Sequence, residues 1–224
     1  MKFTAAIAAI VGISTVLAAP APIDLGDGVT LIPREPRANE RRARANARKT
    51  NPKLPTTAFE VEAATNNSDV SYSSNWAGAV LIGSGYKSVT GTITVPTPKV
   101  PSGGSSRTEY AASAWVGIDG DTCQTAILQT GVDFYVEGSS VSFDAWYEWY
   151  PDYAYTFSGF SVAAGNQIKM TATATSTSAG SVTIQNLSTG KSVTHSFSGE
   201  SDKLCETNAE WSKSLLKQAR SRVS

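Results

Sequence analysis

The sequence predicts an all-β fold, an antiparallel β-sandwich or barrel, and three observations lead to this prediction. From Ser73 onward, short runs rich in β-branched and aromatic residues follow one another along the chain. Turn-rich pieces such as GSG, PSGGSS, AAGNQ and STSAG separate those runs. No stretch before Trp211 has a convincing helical period. Short strands divided by frequent turns are typical of two packed antiparallel sheets.

Eight strands are predicted from this pattern, and each is bounded by turn residues. In chain order they are Trp76–Ile82, Ser88–Val95, Ala111–Ile118, Ala126–Tyr135, Val141–Tyr150, Gln167–Thr175, Ser181–Asn186 and Ser192–Phe197.

The strand Val141–Tyr150 has two faces of different chemistry, because successive side chains in a strand point to opposite sides. One face is apolar and consists of Val141, Phe143, Ala145, Tyr147 and Trp149. The other interleaves two carboxyls with large aromatics and consists of Ser142, Asp144, Trp146, Glu148 and Tyr150. Aromatic neighbours exclude water and raise carboxyl pKa values, so the second face favours acid/base chemistry or ligand binding.

The chain begins with the features of a secretory signal peptide. Lys2 precedes the apolar run AAIAAIVGISTVLAA, and we expect residues 1–19 to be removed by cleavage near Ala18 or Ala19. The run is too short to span a membrane, and no second apolar segment of spanning length follows. The sequence therefore predicts a secreted, extracellular protein with no membrane partner.

Charge is segregated along the chain although the formal net charge is zero. Residues 66–211 contain six Lys/Arg and thirteen Asp/Glu, a balance typical of a secreted protein that works at low pH and unsuited to nucleic-acid binding. Residues 20–65 are Arg-rich at their centre, REPRANERRARANARKTNPK. They are either a disordered spacer or a basic propeptide that pairs with the acidic domain until acid protonates its carboxylates. We favour the propeptide, because signal, basic segment and acidic body occur in that order.

Residue content excludes several kinds of active site. His195 is the only histidine, we expect it to be exposed, and no nucleophile-elbow motif accompanies it for Ser-His-Asp catalysis. His and Cys are too few for a zinc site, and the DGD at residues 119–121 lacks the spacing of a calcium loop. We therefore expect no metal and no cofactor. The two cysteines, Cys123 and Cys205, predict one disulfide.

After these exclusions, chemistry carried out by carboxyl groups is the remaining candidate. A pepsin-like enzyme uses two Asp-Thr-Gly loops, whereas the nearest match here is Gln129-Thr130-Gly131, which occurs once. The candidate groups are Asp119, Asp144, Glu148 and Glu210, with Gln129 as a polar amide. Two function classes fit these groups: a hydrolase of glycosidic or peptide bonds, and a lectin-like sandwich in which aromatics stack on sugar rings. The basic segment before the domain favours an enzyme that is kept silent before secretion.

Four blocks of sequence, in order, resemble the eqolisins, the secreted fungal glutamic peptidases of the scytalidoglutamic and aspergilloglutamic type. The blocks are SSNWAGAVLIGSGY (73–86), AWVGIDGDTCQTAILQTG (114–131), DAWYEWYP (144–151) and LCETNAEW (204–211). The resemblance implies a lectin-like β-sandwich of two large antiparallel sheets. It also implies an acid endopeptidase that acts on polypeptide substrates as a monomer, without metal.

The resemblance implies a catalytic Gln–Glu dyad, which falls on Gln129 in ILQTG and Glu210 in NAEW. Glu210 would activate water as a general base, and Gln129 would stabilise the oxyanion. The positions that line or support the family's cleft match Trp76, Asp119, Asp144, Trp146, Glu148 and Tyr150.

The resemblance fails after Trp211, where a basic tail, residues 212–224, replaces the further strands of the family. Leu215, Leu216 and Ala219 give the tail a weakly helical pattern. The tail is either a family variant with a short helical end or the mark of a truncated gene product. We favour truncation, because the break falls within the catalytic block. Lost strands would leave apolar surface and open sheet edges, so we expect the chain as it stands to be inactive.

Overall fold

The computed structural model describes residues 23–24, 30–33, 73 and 76–217, and every helix or strand assigned there is a β-strand. The strands are β1 Ile23–Asp24, β2 Thr30–Pro33, β3 Ala77–Ile82, β4 Ser88–Thr94, β5 Tyr110–Ile118, β6 Ile127–Glu137, β7 Ser140–Tyr150, β8 Tyr155–Phe157, β9 Gln167–Ser176, β10 Ala179–Asn186, β11 Lys191–Ser198 and β12 Asn208–Lys217. The predicted signal peptide, most of the predicted propeptide and residues 218–224 lie outside the described residues. Within the described part, no helix is long and apolar enough to cross a membrane.

These strands form two antiparallel sheets, which confirms the predicted all-β fold. The large sheet has the order β1-β2-β8-β7-β6-β5-β12-β3, and the small sheet has the order β11-β10-β9-β4. The apolar core contains Val116, Val132 and Tyr147 from the large sheet and Ile168 and Val182 from the small sheet. The opposite face of the large sheet carries the candidate groups.

All eight predicted strands are present, each with bounds within two residues of the prediction. Pattern reasoning missed four strands: β1, β2, β8 and β12. The weakly helical pattern assigned to the tail is wrong for Ser212–Lys217, which continues β12 as a strand. There β12 pairs with β5 through Lys217 and Tyr110, so tertiary pairing overrides the local preference of Lys and Leu for helix.

The two predicted faces of β7 are separated as expected, with one correction. Phe143, Ala145, Tyr147 and Trp149 belong to the core or pack against it. Val141 was expected in the same layer, but it is 44% exposed. It is the second residue of β7 and lies next to the turn that joins β6 to β7, where the strand is no longer packed against the core.

Part of the predicted propeptide is built into the large sheet. In β2, Leu31 lies opposite Phe157 of β8 and Pro33 lies opposite Tyr155. β1 then pairs with β2 at the outer edge. This segment therefore extends the large sheet beyond β8.

His195 was expected to be exposed, but it lies half-buried within an aromatic cluster of the sandwich. Its ring stacks on Tyr147 with a centroid separation of 4.1 Å and meets Phe197 edge-on at 4.7 Å. Burial lowers the pKa of His195 to about 4, because the charged imidazolium loses hydration among the rings. Burial likewise raises the pKa of Tyr147.

We predict that His195→Phe stabilises the protein selectively in acid. As pH falls from 6.5 towards 4, the unfolded chain protonates His195 and the folded chain does not, so this residue costs stability in that window. The variant should gain about 1–2 kcal/mol at pH 4 relative to its effect at pH 7.5, since solvent screening reduces the shift at a half-buried ring. Urea unfolding of both proteins at the two pH values measures this. An equal difference at both pH values would contradict the prediction.

Candidate active site

Gln129 and Glu210 are brought together by strand register. On β5, Gly117 lies opposite Gln129 of β6 on one side and opposite Glu210 of β12 on the other. Residues that are directly opposite across strands project from the same face, so the amide and the carboxyl flank a position that has no side chain. The two backbones are about 10 Å apart, two strand spacings. This row, Gln129–Gly117–Glu210, is the geometric centre of the site.

Gly117 is a glycine for a steric reason. A Cβ at this position would lie 3.1 Å from the Trp115 ring and 3.3 Å from the Cβ of Gln129. The space above Gly117 therefore stays open only because no side chain fills it.

The side chain of Gln129 is oriented by a buried carboxyl in the next strand. Glu148 of β7 lies directly opposite Gln129, and its Oε2 accepts a hydrogen bond of 3.0 Å from Gln129 Nε2. An ionised carboxylate can only accept, so it selects the orientation in which the NH₂ group faces β7. Gln129 is 1% exposed, Glu148 2% and Glu210 0%. The predicted supporting role of Glu148 thus has a defined contact.

Aromatic side chains surround this row. Trp76, Trp115, Ile127 and Trp146 form a buried apolar cluster, and Tyr150 packs against it. Trp76 meets Trp115 edge-on, with ring centroids 5.0 Å apart. The predicted cleft residues Trp76, Trp146 and Tyr150 therefore lie together on the face of the dyad, where they exclude water and strengthen electrostatic interactions.

Asp119 supports the start of β12. It is fully buried, and its carboxylate accepts hydrogen bonds from the backbone N–H groups of Cys205, Glu206 and Thr207 at 2.8 Å and of Asn208 at 3.2 Å. The hydroxyl of Thr207 donates a fifth, at 3.2 Å. Asp119 has a left-handed backbone with φ of 68°, which Asp tolerates better than most residues. The carboxylate fixes the turn that precedes Glu210.

Asn208, which sequence reasoning missed, makes the reciprocal contacts. Its side-chain Oδ1 accepts from the backbone N–H groups of Asp121, Thr122 and Cys123 at 3.2, 2.9 and 3.4 Å. The only available sequence signal was its spacing: it lies two residues before Glu210 and therefore on the same face of one strand.

The predicted disulfide is present between the same two segments. Cys123 and Cys205 are bonded, with Cα atoms 6.0 Å apart. The bridge ties the loop after β5 to the loop before β12.

Asp144 lies on the same face but away from the dyad. It is opposite Asp133 of β6, four residues along β7 from Glu148 and thus about 13 Å away. Asp133, which sequence reasoning also missed, is fully buried and accepts from Ser113 Oγ at 2.7 Å and Tyr135 OH at 2.6 Å. The structure therefore does not bring Asp144 into the row of Gln129 and Glu210.

The described residues contain no group of three or more His, Cys, Asp or Glu arranged to hold a metal ion. What this face offers is one oriented amide and buried carboxyls enclosed by tryptophans. Such groups can polarise a carbonyl and transfer protons.

A β-sandwich with this face defines a peptidase family, and the chain belongs to it: a model of the Peptidase A4 family matches residues 74–223. The chain is 54% identical over 198 residues to Aspergillopepsin-2 of Aspergillus niger, a match that covers 79% of this chain and 70% of the relative. It is 46% identical over 214 residues to Scytalidopepsin B of Scytalidium lignicola, which covers 94% of this chain and 72% of that protein.

The fold is similar to a solved structure of the same family. The crystal structure of scytalido-glutamic peptidase with a transition state analog inhibitor matches with a TM-score of 0.56 and 52% identity. The match covers 62% of this chain and 64% of that one, so this chain spans less than two thirds of the solved relative. The resemblance read from the four sequence blocks is confirmed.

We predict that Gly117→Ala lowers protein cleavage at least about tenfold, because the added methyl must push Gln129 or Trp115 away from the row. Gly91→Ala is the matched control: its Cβ would lie 2.9 Å from Val116 Cγ1 and 3.1 Å from Trp211 Cδ1, on the core side of the sheet. Both variants should lose thermal stability, and only Gly117→Ala should lose turnover at a temperature where each is folded. Equal loss of turnover in the two variants would show that crowding acts through stability alone.

Proposed function

We propose that this protein is a secreted acid endopeptidase that hydrolyses peptide bonds with the dyad Gln129 and Glu210. The observation that carries the proposal is the register of β5, β6 and β12, which sets both groups opposite Gly117. Family membership supports the reaction class. The structure of a relative, SCP-B of the Eqolisin family, in a complex with a tripeptide supports a polypeptide substrate.

In the proposed reaction, ionised Glu210 takes a proton from a water molecule, and that water attacks the carbonyl carbon of the scissile peptide bond. One N–H of Gln129 Nε2 is committed to Glu148. The second N–H of the same group remains to donate to the oxyanion that develops on the carbonyl oxygen. Glu210 then transfers its proton to the leaving amine as the C–N bond breaks. At the end of the cycle Glu210 is ionised again, and protons and charges are balanced.

The reaction is matched to acid conditions. An unperturbed Glu carboxyl has a pKa of about 4.3, so a carboxyl that acts first as a base and then as an acid suits acid pH. Two carboxyls in one row, Glu148 and Glu210 on either side of Gln129 and Gly117, have separate roles. Glu148 orients the amide, and Glu210 moves the proton.

We predict that Gln129→Ala and Glu210→Ala each reduce protein cleavage at acid pH by at least about a thousandfold, because each removes one half of the dyad. A digest of denatured protein, with the cut sites mapped, measures this, and near-ultraviolet circular dichroism checks folding. The 224-residue chain is assayed beside a version extended with family-like strands after Trp211. The variants are made in the form that cleaves. Binding to a sugar column by all variants, with no cleavage by either parent, would favour the lectin-like alternative.

We also propose that residues 20–65 act as a propeptide of a secreted, monomeric enzyme. The pairing of β2 with β8 supports a role in which this segment is attached to the domain before it is removed. Its sequence is basic at the centre and that of the domain is acidic, and protonation of carboxylates in acid weakens the attraction between opposite charges.

We predict that the mature secreted protein lacks the Arg-rich region Arg34–Lys53 and begins between about Asn51 and Ser73, where the family resemblance starts. Intact-mass measurement of the secreted protein locates the new N-terminus, and size-exclusion chromatography checks that it is monomeric. A mature species that still begins near Pro20 would contradict the propeptide proposal.

A further inference from the structure

Asn208 is a fully buried amide at the start of β12, and both ends of its side chain are used. Oδ1 accepts three backbone N–H bonds from residues 121–123, and a bond of 3.1 Å from Thr122 Oγ1. Nδ2 donates to Thr122 Oγ1 at 2.9 Å and to the carbonyl of Thr207 at 3.0 Å. A side chain that ties two separate loops in this way restrains how β12 can move along β5.

The proposed chemistry requires that β12 pairs with β5 in one defined register. A slip of one residue would turn Glu210 to the other face of the sheet, and a slip of two would move it about 7 Å from its place beside Gly117. The backbone ladder between β12 and β5 can form in any of these registers. Side-chain contacts at the start of the strand therefore have to select one.

We propose that Asn208 is a positioning residue for Glu210: it locks the register of β12, and so the placement of the catalytic carboxyl opposite Gln129. The proposal rests on the proposed dyad. Asn208 acts as the counterpart of Asp119, whose carboxylate holds the backbone of residues 205–208 while Asn208 holds that of residues 121–123. The disulfide fixes only Cys205, which is exposed and lies five residues before Glu210.

The amide is suited to this role at every pH, whereas a carboxyl is not. A protonated Asp at this position could both accept and donate, but above its pKa, about 3.9 for an unperturbed Asp, the carboxylate could no longer donate to Thr207. Asn keeps one donor group and one acceptor at every pH in which the enzyme is proposed to work.

The chain offers a matched control in Asn186, which is also fully buried and also bonded at both ends. Its Nδ2 donates to Ser161 O and to Asn166 Oδ1, and its Oδ1 accepts from the N–H groups of Ser188 and Thr189. Asn186 ends β10 in the small sheet, away from the dyad. Replacing either residue with Ala removes a comparable set of buried hydrogen bonds.

The first test is kinetic and uses the full chain in the form that cleaves protein. We expect Asn208→Ala to lower kcat about a hundredfold with KM nearly unchanged, and Asn186→Ala to change kcat less than about twofold at a similar loss of Tm. Asn208→Asp should lose activity relative to the parent as pH rises through the pKa of the introduced carboxyl, an ionisation that is absent from the parent profile, because the ionised form cannot donate to Thr207. Unchanged kcat in Asn208→Ala, or equal losses in the two Ala variants, would overturn the proposal.

The second test needs no turnover. Backbone amide hydrogen exchange is compared between the parent and Asn208→Asp at pH values on both sides of the new ionisation. We expect faster exchange at residues 208–212 in the ionised variant than in the parent at the same pH, with β10 unchanged. If neither parent form cleaves protein, the proposed function fails, and the exchange pattern still decides whether Asn208 fixes β12. Unchanged protection of β12 would overturn the positioning role.

Discussion

The carboxylate of Asp119 receives five hydrogen bonds from a segment that is remote in sequence, and the placement of β12 depends on this interaction. A buried carboxylate without partners would cost several kcal/mol, so these donors make its burial tolerable and bring residues 205–208 to one place. Glu210 follows two residues later. Asn208 completes the same junction from the other side. The carboxyl proposed as catalytic thus lies two residues after polar contacts that fix the beginning of its own strand.

Around this junction, each side chain of the site has a separate structural cause. Gly117 places no side chain between Gln129 and Glu210, Glu148 orients the amide of Gln129, and the tryptophans exclude water from this row. Most of these contacts join different strands. The site is therefore a property of the large sheet, and the small sheet contributes by packing its apolar face against the back of the same strands.

The sequence predicted those parts of the fold that have a local cause. Alternating residues and turn chemistry located eight strands, and the even cysteine count predicted the disulfide correctly. β12 was missed because Lys and Leu in its second half favour helix when read alone, whereas its pairing with β3 and β5 is non-local. Without the family resemblance, Gln129 and Glu210 would have stayed an ordinary amide and an ordinary acid. Asn208 and Asp133 were missed because their partners are brought near only by sheet register.

The order of strands has a consequence for how the protein is made. β3 and β5 follow each other closely along the chain, yet β12, the last strand that the structure describes, lies between them in the sheet. A nascent chain that has emerged only as far as β11 can form most of the sandwich but has no carboxylate opposite Gly117. Insertion of an interior strand also requires long-range closure, which is a slow step in folding. Under the proposed function, the acid–base group is therefore missing from its place until the last described strand has paired.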